Sequence, residues 1–368
     1  MLRLLHAADL HLGSSMAALG ASGAARRRTR QLDALEQLFA KGVAEGAQMI
    51  LLAGDVFDTP VPDPNLAQRF FAICAACGVP VVVAPGNHDP WVKGGVWAQA
   101  ALPQNLFVFD RDVLSYFDFP ALGVAVFGYA FVEDGMETCP VEGGPFALEG
   151  RTTVLVGHAD LLSPLSGYAP LSGRQLAQSG FAYAALGHIH KALPPVRHGD
   201  TTAAYSGFFA GRGFDEVGPG RALLVELEGT HVGITPIESD ADRFEVVELA
   251  CDGAVGNEDI YTRLRGFLQN GGFSPDTALR VRLTGNVGLD CRVDATRLAS
   301  LGGGLALLEL CDETLPVPGG DFLEKDPTLR GAFYRALLPQ LRSADAAERS
   351  LAAEALRLGL AALSDKEV

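Results

Sequence analysis

Five short polar clusters, each placed where an apolar run ends, are the part of this sequence that could do chemistry. They are Asp9-Leu10-His11, Gly54-Asp55, Gly86-Asn87-His88-Asp89, Gly157-His158 and Gly187-His188-Ile189-His190. Five of the eight histidines in the chain fall within them. Because ligand sites in open α/β sheets lie at the carboxyl ends of strands, these clusters are expected to meet at one place in the fold.

The side chains in the clusters are those of metal sites. These donors are carboxylate, imidazole and amide groups, with no thiolate. Such a set is more typical of a catalytic centre that holds Mn²⁺, Fe²⁺ or Zn²⁺ than of a structural zinc site. Asp9 and His11 are two residues apart, as are His188 and His190, and such residues point the same way in an extended segment. The donors exceed what one ion needs, and Asp55 could bridge two. Two ions roughly 3.5–4 Å apart form the usual clamp for displacement at phosphorus.

Each cluster alone has a simpler explanation. A Gly-Asp or Gly-His pair usually marks only a turn, and a core histidine is usually just satisfied by hydrogen bonds. A glycine precedes the polar residue in four of the five clusters, which fits a turn that brings the backbone close to the site. Five such clusters in one chain favour a two-metal hydrolytic site over five unrelated turns.

The elements that must position these clusters can be read from the apolar pattern. Strands are predicted at residues 3–8, 49–53 and 79–84, with helices between them at residues 24–45 and from Pro64 to Cys77. Asp63 is the expected N-cap of the second helix, and Gly78 suits its C-terminal end. This β-α-β-α-β order predicts a mostly parallel sheet flanked by helices. Shorter runs predict a second sheet packed on the first, with strands at residues 106–109, 124–127, 152–156, 183–186 and 222–226.

The pattern changes near residue 239, where the histidine-bearing clusters stop. Strands at residues 244–249 and 279–283 and helices at residues 258–269 and 294–300 predict a small α+β domain. Residues 316–320 are a predicted linker, and residues 327–363 are predicted to be helical, broken near Pro339 and restarted by Ser343 as a cap. The predicted domains are therefore residues 1–238, 239–320 and 321–368.

Composition narrows the class of protein. The net charge of −15 and pI near 4.9 argue against a chain that coats nucleic acid non-specifically, but a metal can neutralise an acidic nuclease site locally. The six scattered cysteines do not form a disulfide framework, and the N-terminal run is broken by His6 and Asp9, unlike a signal peptide. No apolar run reaches the length of a membrane span. A cytoplasmic protein that does not enter membranes is expected.

In this order the five clusters resemble those of the calcineurin-like metallophosphoesterase superfamily. The stretches His6-Ala7-Ala8-Asp9-Leu10-His11-Leu12-Gly13 and Gly54-Asp55-Val56-Phe57-Asp58 are similar to its DNA-repair exonuclease branch, which includes SbcD and YhaO-like proteins. Tyr205-Ser206-Gly207, Gly211-Arg212 and Gly218-Pro219-Gly220 resemble the YhaO-like group. The resemblance covers residues 1–238. It implies an α/β fold, a two-sheet metallophosphoesterase β-sandwich flanked by helices, with a small α+β capping domain and C-terminal helices.

The resemblance also implies a role for each site residue. Two divalent ions, expected to be Mn²⁺, would have Asp9, His11 and His190 on one and Asn87, His158 and His188 on the other, with Asp55 bridging. His88 would be the histidine without a metal, stabilising or protonating the departing oxygen while Asp89 orients its ring. Lys191 and Arg212 follow site motifs and are candidates for contacts with substrate phosphates.

The function implied is a metal-dependent DNA exo/endonuclease that hydrolyses phosphodiester bonds by a two-metal mechanism. The resemblance implies a role in DNA repair, an SMC-like coiled-coil ATPase as partner, and a homodimer. A phosphodiesterase or phosphatase acting on small molecules or proteins is the alternative. A third hypothesis is an architectural protein with a vestigial metal site, and the intact set of ligands argues against it.

Three features leave alternatives open. The basic run from Arg26 to Arg30 is either a phosphate contact near the site or a solvated helix face. Cys74 and Cys77 have redox or zinc spacing, but both lie on the apolar stripe of their helix, which favours core packing. The C-terminal helices either pack on their own domain or dock on the coiled coil of the ATPase. His6, within a strand, is interpreted either as structural or as a residue that supports the metal ligands.

Overall fold

The computed structural model describes residues 1–99, 101–229, 231–288, 291, 293–316 and 320–363. They divide into two compact units, Met1–Phe244 and Glu245–Val368. The elements of the first unit, in chain order, are β1 (Leu2–Ala7), α1 (Gly20–Ala44), β2 (Met49–Leu52), α2 (Pro64–Ala76), β3 (Val81–Val83), α3 (Val96–Gln99), β4 (Leu106–Val108), β5 (Ser115–Phe119), β6 (Val124–Gly128), β7 (Thr152–His158), α4 (Gly173–Ser179), β8 (Tyr183–Gly187), β9 (Val196–His198), β10 (Thr201–Tyr205), β11 (Arg221–Glu228) and β12 (His231–Glu238).

The described residues of the first unit form two six-stranded sheets. The strand orders are β12-β11-β1-β2-β3-β4 and β5-β6-β7-β8-β10-β9. In the first sheet β1 to β4 are parallel, while β11 and β12 are antiparallel. In the second, β6, β7, β8 and β10 are parallel between the antiparallel edges β5 and β9. The parallel strands of both sheets supply the ends on which the polar clusters lie.

Two strands lie in a different sheet from the one predicted. Residues 106–109 and 222–226 were expected in the second sheet, but β4 pairs with β3 and β11 pairs with β1 in the first. The reason is that β11 is buried on both faces. Leu224 belongs to the core beneath the helices and Leu223 to the core between the sheets. A strand covered on both sides carries no alternation that identifies its neighbours.

The core of this unit lies in layers on either side of the first sheet. Leu5 of β1 packs in a cluster with Leu35 and Phe39 of α1, while the adjacent Leu4 packs between the sheets with Val154. A third cluster covers the outer face of the second sheet and includes Leu176 of α4. Two mixed sheets packed face to face with helices outside are the predicted metallophosphoesterase architecture, and the fold class is therefore confirmed.

The helix α2 shows how the local sequence sets its ends. The carboxylate of Asp63 accepts hydrogen bonds from the backbone N–H groups of Asn65 (2.8 Å) and Leu66 (3.3 Å), so it is the predicted N-cap. Pro64 occupies the first turn, where its missing N–H costs nothing. Cys74, in the same helix, is fully buried in the core, as core packing predicts.

The second unit is a small α+β arrangement followed by helices. Its elements are β13 (Phe244–Ala250), α5 (Asn257–Asn270), β14 (Ala278–Thr284), β15 (Asn286–Val287), α6 (Ala295–Ala299), β16 (Leu307–Asp312), β17 (Leu315–Pro316), α7 (Gly320–Lys325), α8 (Leu329–Leu341) and α9 (Ala346–Ala362). The order β13-β14-β16 forms a three-stranded sheet. Its core includes Leu264 of α5, Val281 of β14 and Leu298 of α6.

The C-terminal helices pack on each other, since Leu356 and Leu360 of α9 form a cluster with Phe333 of α8. The carboxylate of Asp345, rather than the predicted Ser343, caps α9 by accepting from the N–H of Ala347. Pro339 lies within α8, close to its end. Residues 317–319 of the predicted linker lie outside the described residues. The division into nuclease, capping and tail domains stays a prediction. Among the helices described here, none is long and apolar enough to cross a bilayer.

Candidate metal centre

The fold brings the five polar clusters to one place. Asp9 and His11 follow β1, Asp55 follows β2, and residues 86–89 follow β3. His158 ends β7, and His188 and His190 follow β8. The two packed sheets therefore present the carboxyl ends of five parallel strands to a common volume, and all seven predicted ligands border it.

The first group of donors consists of Asp9, His11, Asp55 and His190, whose ligand atoms all lie within 4.8 Å of one another. The Nε2 atom of His11 is 3.3 Å from Nε2 of His190 and 3.5 Å from Oδ2 of Asp55. Nε2 of His190 is 3.8 Å from Oδ1 of Asp9. Two imidazoles and two carboxylates facing one another this closely are a suitable donor set for a divalent cation.

The second group lies on the other side of Asp55. Nε2 of His158 is 3.4 Å from Oδ2 of Asp55 and 3.0 Å from Oδ1 of Asn87. The ring of His188 packs against that of His158, with 5.2 Å between centroids. The same oxygen of Asp55 thus faces His11 in one group and His158 in the other. This is the position that a bridging carboxylate would occupy.

Hydrogen bonds to the outer ring nitrogens fit these histidines for metal binding. Nδ1 of His158 is 3.1 Å from the carbonyl oxygen of Ala53, which can only accept, so Nδ1 carries the hydrogen. Nδ1 of His11 faces Oδ1 of Asp58 at 3.1 Å, and Nδ1 of His190 faces Oε1 of Glu216 at 2.7 Å. The contact of His158 leaves its Nε2 lone pair directed at the shared volume, and the carboxylate partners of His11 and His190 favour the same tautomer, as in histidines that hold metals. Nη2 of Arg212 also lies 2.9 Å from Nδ1 of His190.

Burial sets the protonation of these groups. Asp9, His11, Asp55 and His158 are almost fully buried. Burial lowers the pKa of His11, although Asp58 opposes this, and burial followed by the neighbouring His158 lowers the pKa of His188 to about 4. Burial acts to raise the pKa of Asp55, but His158, His11 and the N–H of His88 outweigh it and the pKa falls. The neutral imidazoles of His11 and His188 and the ionised carboxylate of Asp55 are the forms that bind cations. His190 differs, because burial acts to lower its pKa, but its hydrogen bond to Glu216 and the nearby carboxylate of Asp9 outweigh burial and raise the pKa.

The backbone at the ligands is not the extended one that the sequence spacing suggested. Asp9, His11, Asp55 and His188 have φ angles of 52°, 43°, 51° and 101°, in or beyond the left-handed region that non-glycine residues rarely adopt. The side chains converge because left-handed turns follow the strands, not because alternate residues of a strand share a face. Such conformations cost of order 1–3 kcal/mol each and cluster at functional sites.

Two of the predicted turn glycines are required by close approach. A Cβ atom on Gly54 would overlap the ring of His158, and one on Gly86 would overlap the carboxylate and backbone nitrogen of Asp55. Gly54 also has a φ of 91°. Both positions therefore need glycine so that the loops after β2 and β3 and the end of β7 can meet.

His88 lies beside the donor groups. Its ring is 4.7 Å from that of His11, edge to face, and its side chain is 44% exposed. Its Nδ1 atom is 3.4 Å from the carbonyl oxygen of Asp58 and 4.0 Å from Oδ1 of the same residue. Ligand atoms of His11, Asp58 and His88 also lie within 4.8 Å of one another, which is close enough to hold a cation. A test of the role of His88 must therefore measure metal binding as well as turnover.

Asp89 does not contact this ring in the way predicted. Its Oδ2 atom accepts hydrogen bonds from the N–H groups of Val56 (3.0 Å) and Phe57 (3.1 Å), and its Oδ1 accepts from that of Gly86 (2.8 Å). The fully buried carboxyl group ties the loop after β2 to the loop after β3. These contacts contradict the prediction that Asp89 orients His88 and place Asp58 beside that ring instead.

We expect Asp89→Ala to act on stability. Three buried N–H groups would lose their acceptor, which should cost on the order of 3 kcal/mol of the unfolding free energy. Urea unfolding measures this, with Asp118→Asn, an exposed carboxylate, as the control. A variant that keeps wild-type stability but loses activity would restore the predicted catalytic role of Asp89.

Glu216 and Asp58 are the site residues that the sequence analysis missed. Glu216 is buried and also binds Arg212, whose Nε is 3.1 Å from both carboxylate oxygens. Burial would raise the pKa of Glu216, but its hydrogen bonds to His190 and Arg212 lower it to about 2. The signal for Asp58 was its position three residues after Asp55. For Glu216 the signal was the nearby Gly211-Arg212.

The two predicted phosphate contacts differ. The guanidinium of Arg212 is committed to Glu216, and its Nη1 atom is 3.6 Å from Oδ1 of Asp58. It therefore supports residues next to the metal centre. Lys191 is exposed, directly after His190. Contact of either residue with a substrate phosphate stays a prediction.

The basic run on α1 divides into parts. Arg27 is buried, donates to the carbonyl of Asp242 and lies 4.3 Å from the ring centroid of Phe244, while Arg30 pairs with Asp242 at 2.9 Å. These two arginines fasten α1 to the end of the first unit, a structural role that neither alternative included. Arg28 lines a cavity of about 630 Å³ that Asp58 also borders.

Comparison with known proteins agrees with this geometry. A family model described as calcineurin-like phosphoesterase matches residues 2–192. The chain is 30% identical over 206 residues to the uncharacterized metallophosphoesterase YhaO of Bacillus subtilis, covering 52% of this chain and 49% of that protein. It is 27% identical over 256 residues to the DNA double-strand break repair protein Mre11 of Aeropyrum pernix (62% and 59%), and 39% identical over 93 residues to the D component of the nuclease SbcCD of B. subtilis (24% and 22%).

The aligned part spans less than two thirds of each of these relatives, and about half of the first. The family model, in contrast, covers more than half of this chain and contains all five polar clusters. The chain belongs to the calcineurin-like phosphoesterase family.

Proposed function

We propose that this phosphoesterase is a DNA exo/endonuclease that hydrolyses phosphodiester bonds with two divalent ions. The observation that carries the proposal is the position of the Asp55 carboxylate, with one oxygen 3.5 Å from His11 Nε2 and 3.4 Å from His158 Nε2. Asp9, His11 and His190 would hold one ion, Asn87, His158 and His188 the other, and Asp55 both. When bound, the ions, which we propose to be Mn²⁺, activate water and offset charge on the phosphoryl oxygens.

The residues around the centre supply the remaining chemistry. His88 is exposed enough to reach a substrate, and its ring lies against His11. In the protonated form it would donate a proton to the departing oxygen. Asp58, next to Nδ1 of His88, would fix the ring. Arg212 and Glu216 would keep Asp58 and His190 in place.

DNA is the substrate class that we favour. Two relatives are named as a DNA double-strand break repair protein and a nuclease, and the stretch His6 to Gly13 has the form seen in that branch. A role in DNA repair, an SMC-like coiled-coil ATPase as partner, a homodimer and a cytoplasmic location belong to the same proposal. The net charge of −15 favours the second candidate, a phosphodiesterase or phosphatase on small molecules or proteins.

Parallel assays separate the two candidates. Purified protein with Mn²⁺ is incubated with linear duplex DNA, single-stranded DNA and bis(p-nitrophenyl) phosphate. We expect cleavage of DNA and of the chromogenic diester, and loss of both after chelation. Cleavage of the chromogenic diester alone would sink the nuclease proposal and leave the second candidate. No cleavage of any diester would overturn the phosphodiesterase role altogether.

A further inference from the structure

An ordered apolar loop lies beside the metal centre. Residues 159–172, between β7 and α4, expose Leu162 (61%), Leu165 (94%) and Tyr168 (39%). The loop is held by hydrogen bonds. Oδ1 of Asp160 accepts from the N–H groups of Leu162 (2.8 Å) and Ser163 (3.0 Å), and the residues flanking Tyr168 exchange backbone hydrogen bonds with Met136. The apolar side chains are therefore presented to solvent by a fixed backbone.

Tyr168 joins this loop to the candidate ligands. Its ring is 4.9 Å from the ring of His188, centroid to centroid, at an interplanar angle of 37°. Asp160 also approaches His188, with 3.9 Å between Oδ2 and Nε2.

Neighbouring contacts then continue through His158, Asp55 and His11 to His88. Tyr168 stands at one end of this series and His88 at the other. Tyr168 therefore borders the second group of donors through His188, and His88 borders the first through His11. A phosphodiester held between the two groups with its leaving group at His88 would share the site with Tyr168.

We propose that Tyr168 stacks on the nucleobase of the nucleotide whose phosphate is hydrolysed. The inference rests on the proposed function. An exposed aromatic ring stacks on any base because every base has a π face. Residues 159–172 contain no lysine or arginine, so this loop has no cation with which to bind a second phosphate. Leu162 and Leu165 extend the same apolar surface. The loop thus selects substrates that carry a base over diesters that do not.

The test compares two diesters with the same leaving group. Thymidine 5′-(p-nitrophenyl phosphate) retains a base, and ethyl p-nitrophenyl phosphate does not. We expect wild-type protein with Mn²⁺ to prefer the thymidine ester, and Tyr168→Ala to lower the ratio of the two kcat/KM values about tenfold. Tyr168→Phe should keep the ratio because the ring remains. Tyr116→Ala, at an exposed tyrosine on β5, is the matched control.

Binding gives a second measurement that needs no turnover. Calorimetry on Mn²⁺-loaded protein should show tighter binding of thymidine 5′-phosphate than of deoxyribose 5-phosphate, and Tyr168→Ala should remove most of the difference. Equal affinities in the wild type, or a preference unchanged in Tyr168→Ala, would overturn the stacking role while hydrolysis of ethyl p-nitrophenyl phosphate upholds the phosphodiesterase. If no phosphodiester is hydrolysed, the proposed function fails and this inference fails with it.

Discussion

Asp55→Asn should lower phosphodiester hydrolysis on the order of a thousandfold or more, since the metal ions it would help to hold contribute several kcal/mol to such reactions. The substitution keeps the size of the side chain but removes the negative charge that faces both His11 and His158. The NH₂ group of the asparagine would also replace one of the two carboxylate oxygens. It would stand either where Oδ1 now accepts from the N–H of His88 or where Oδ2 now faces the two imidazoles. We expect the variant to bind less than the full complement of metal.

Hydrolysis of bis(p-nitrophenyl) phosphate and metal content by elemental analysis measure the two effects of this substitution. Asp118→Asn, at an exposed carboxylate paired with Arg151, is the control for loss of one charge. A normal melting temperature would show that the first unit is intact. Full Mn²⁺-dependent activity in Asp55→Asn would refute the bridging role.

The second large effect is expected at His88. His88→Asn should lower kcat roughly a hundredfold or more on DNA, the scale of a lost general acid, with metal binding retained. The loss should be much smaller with p-nitrophenyl esters because p-nitrophenolate leaves without a proton. The side chain is nearly half exposed, so its removal should have little effect on the unfolding free energy.

Metal content and the leaving-group dependence together test His88. His231→Asn, at an exposed histidine on β12, controls for the loss of an imidazole. If metal content falls together with activity, His88 acts as a ligand, as the distances among His11, Asp58 and His88 permit. If esters with good and poor leaving groups lose activity equally, the proton-donor role is wrong.

The sequence predicted the site best where polar residues directly follow buried apolar runs. Polar clusters at the ends of apolar runs located Asp9, Asp55 and His158 because a parallel sheet must place such ends together. The cap at Asp63 was equally readable, since the N-cap interaction is made within three residues.

The errors have physical causes. β11 was assigned to the wrong sheet because a strand buried on both faces does not encode its neighbours. Left-handed φ angles at Asp9 and His11 are imposed by packing around the site, against the local preference of those residues. Asp58 and Asp89 both carry carboxylates near His88. Only the loop geometry decides that the carbonyl oxygen of Asp58 lies 3.4 Å from the His88 ring, while the Asp89 carboxylate accepts from backbone N–H groups.

The pairing of β1 with β11 has a consequence for how the chain matures on the ribosome. Every candidate ligand has been synthesised once His190 is made. However, one edge of β1 forms its sheet hydrogen bonds only after residues 221–228 have been synthesised. Likewise, Nδ1 of His190 can contact the carboxylate of Glu216 only after residue 216 has been added. The nascent chain therefore carries the complete ligand set before it can hold that set in place. A recombinant fragment ending at residue 192 would leave β1 as an open sheet edge, so a fragment for expression should extend through Phe244, the end of the first unit.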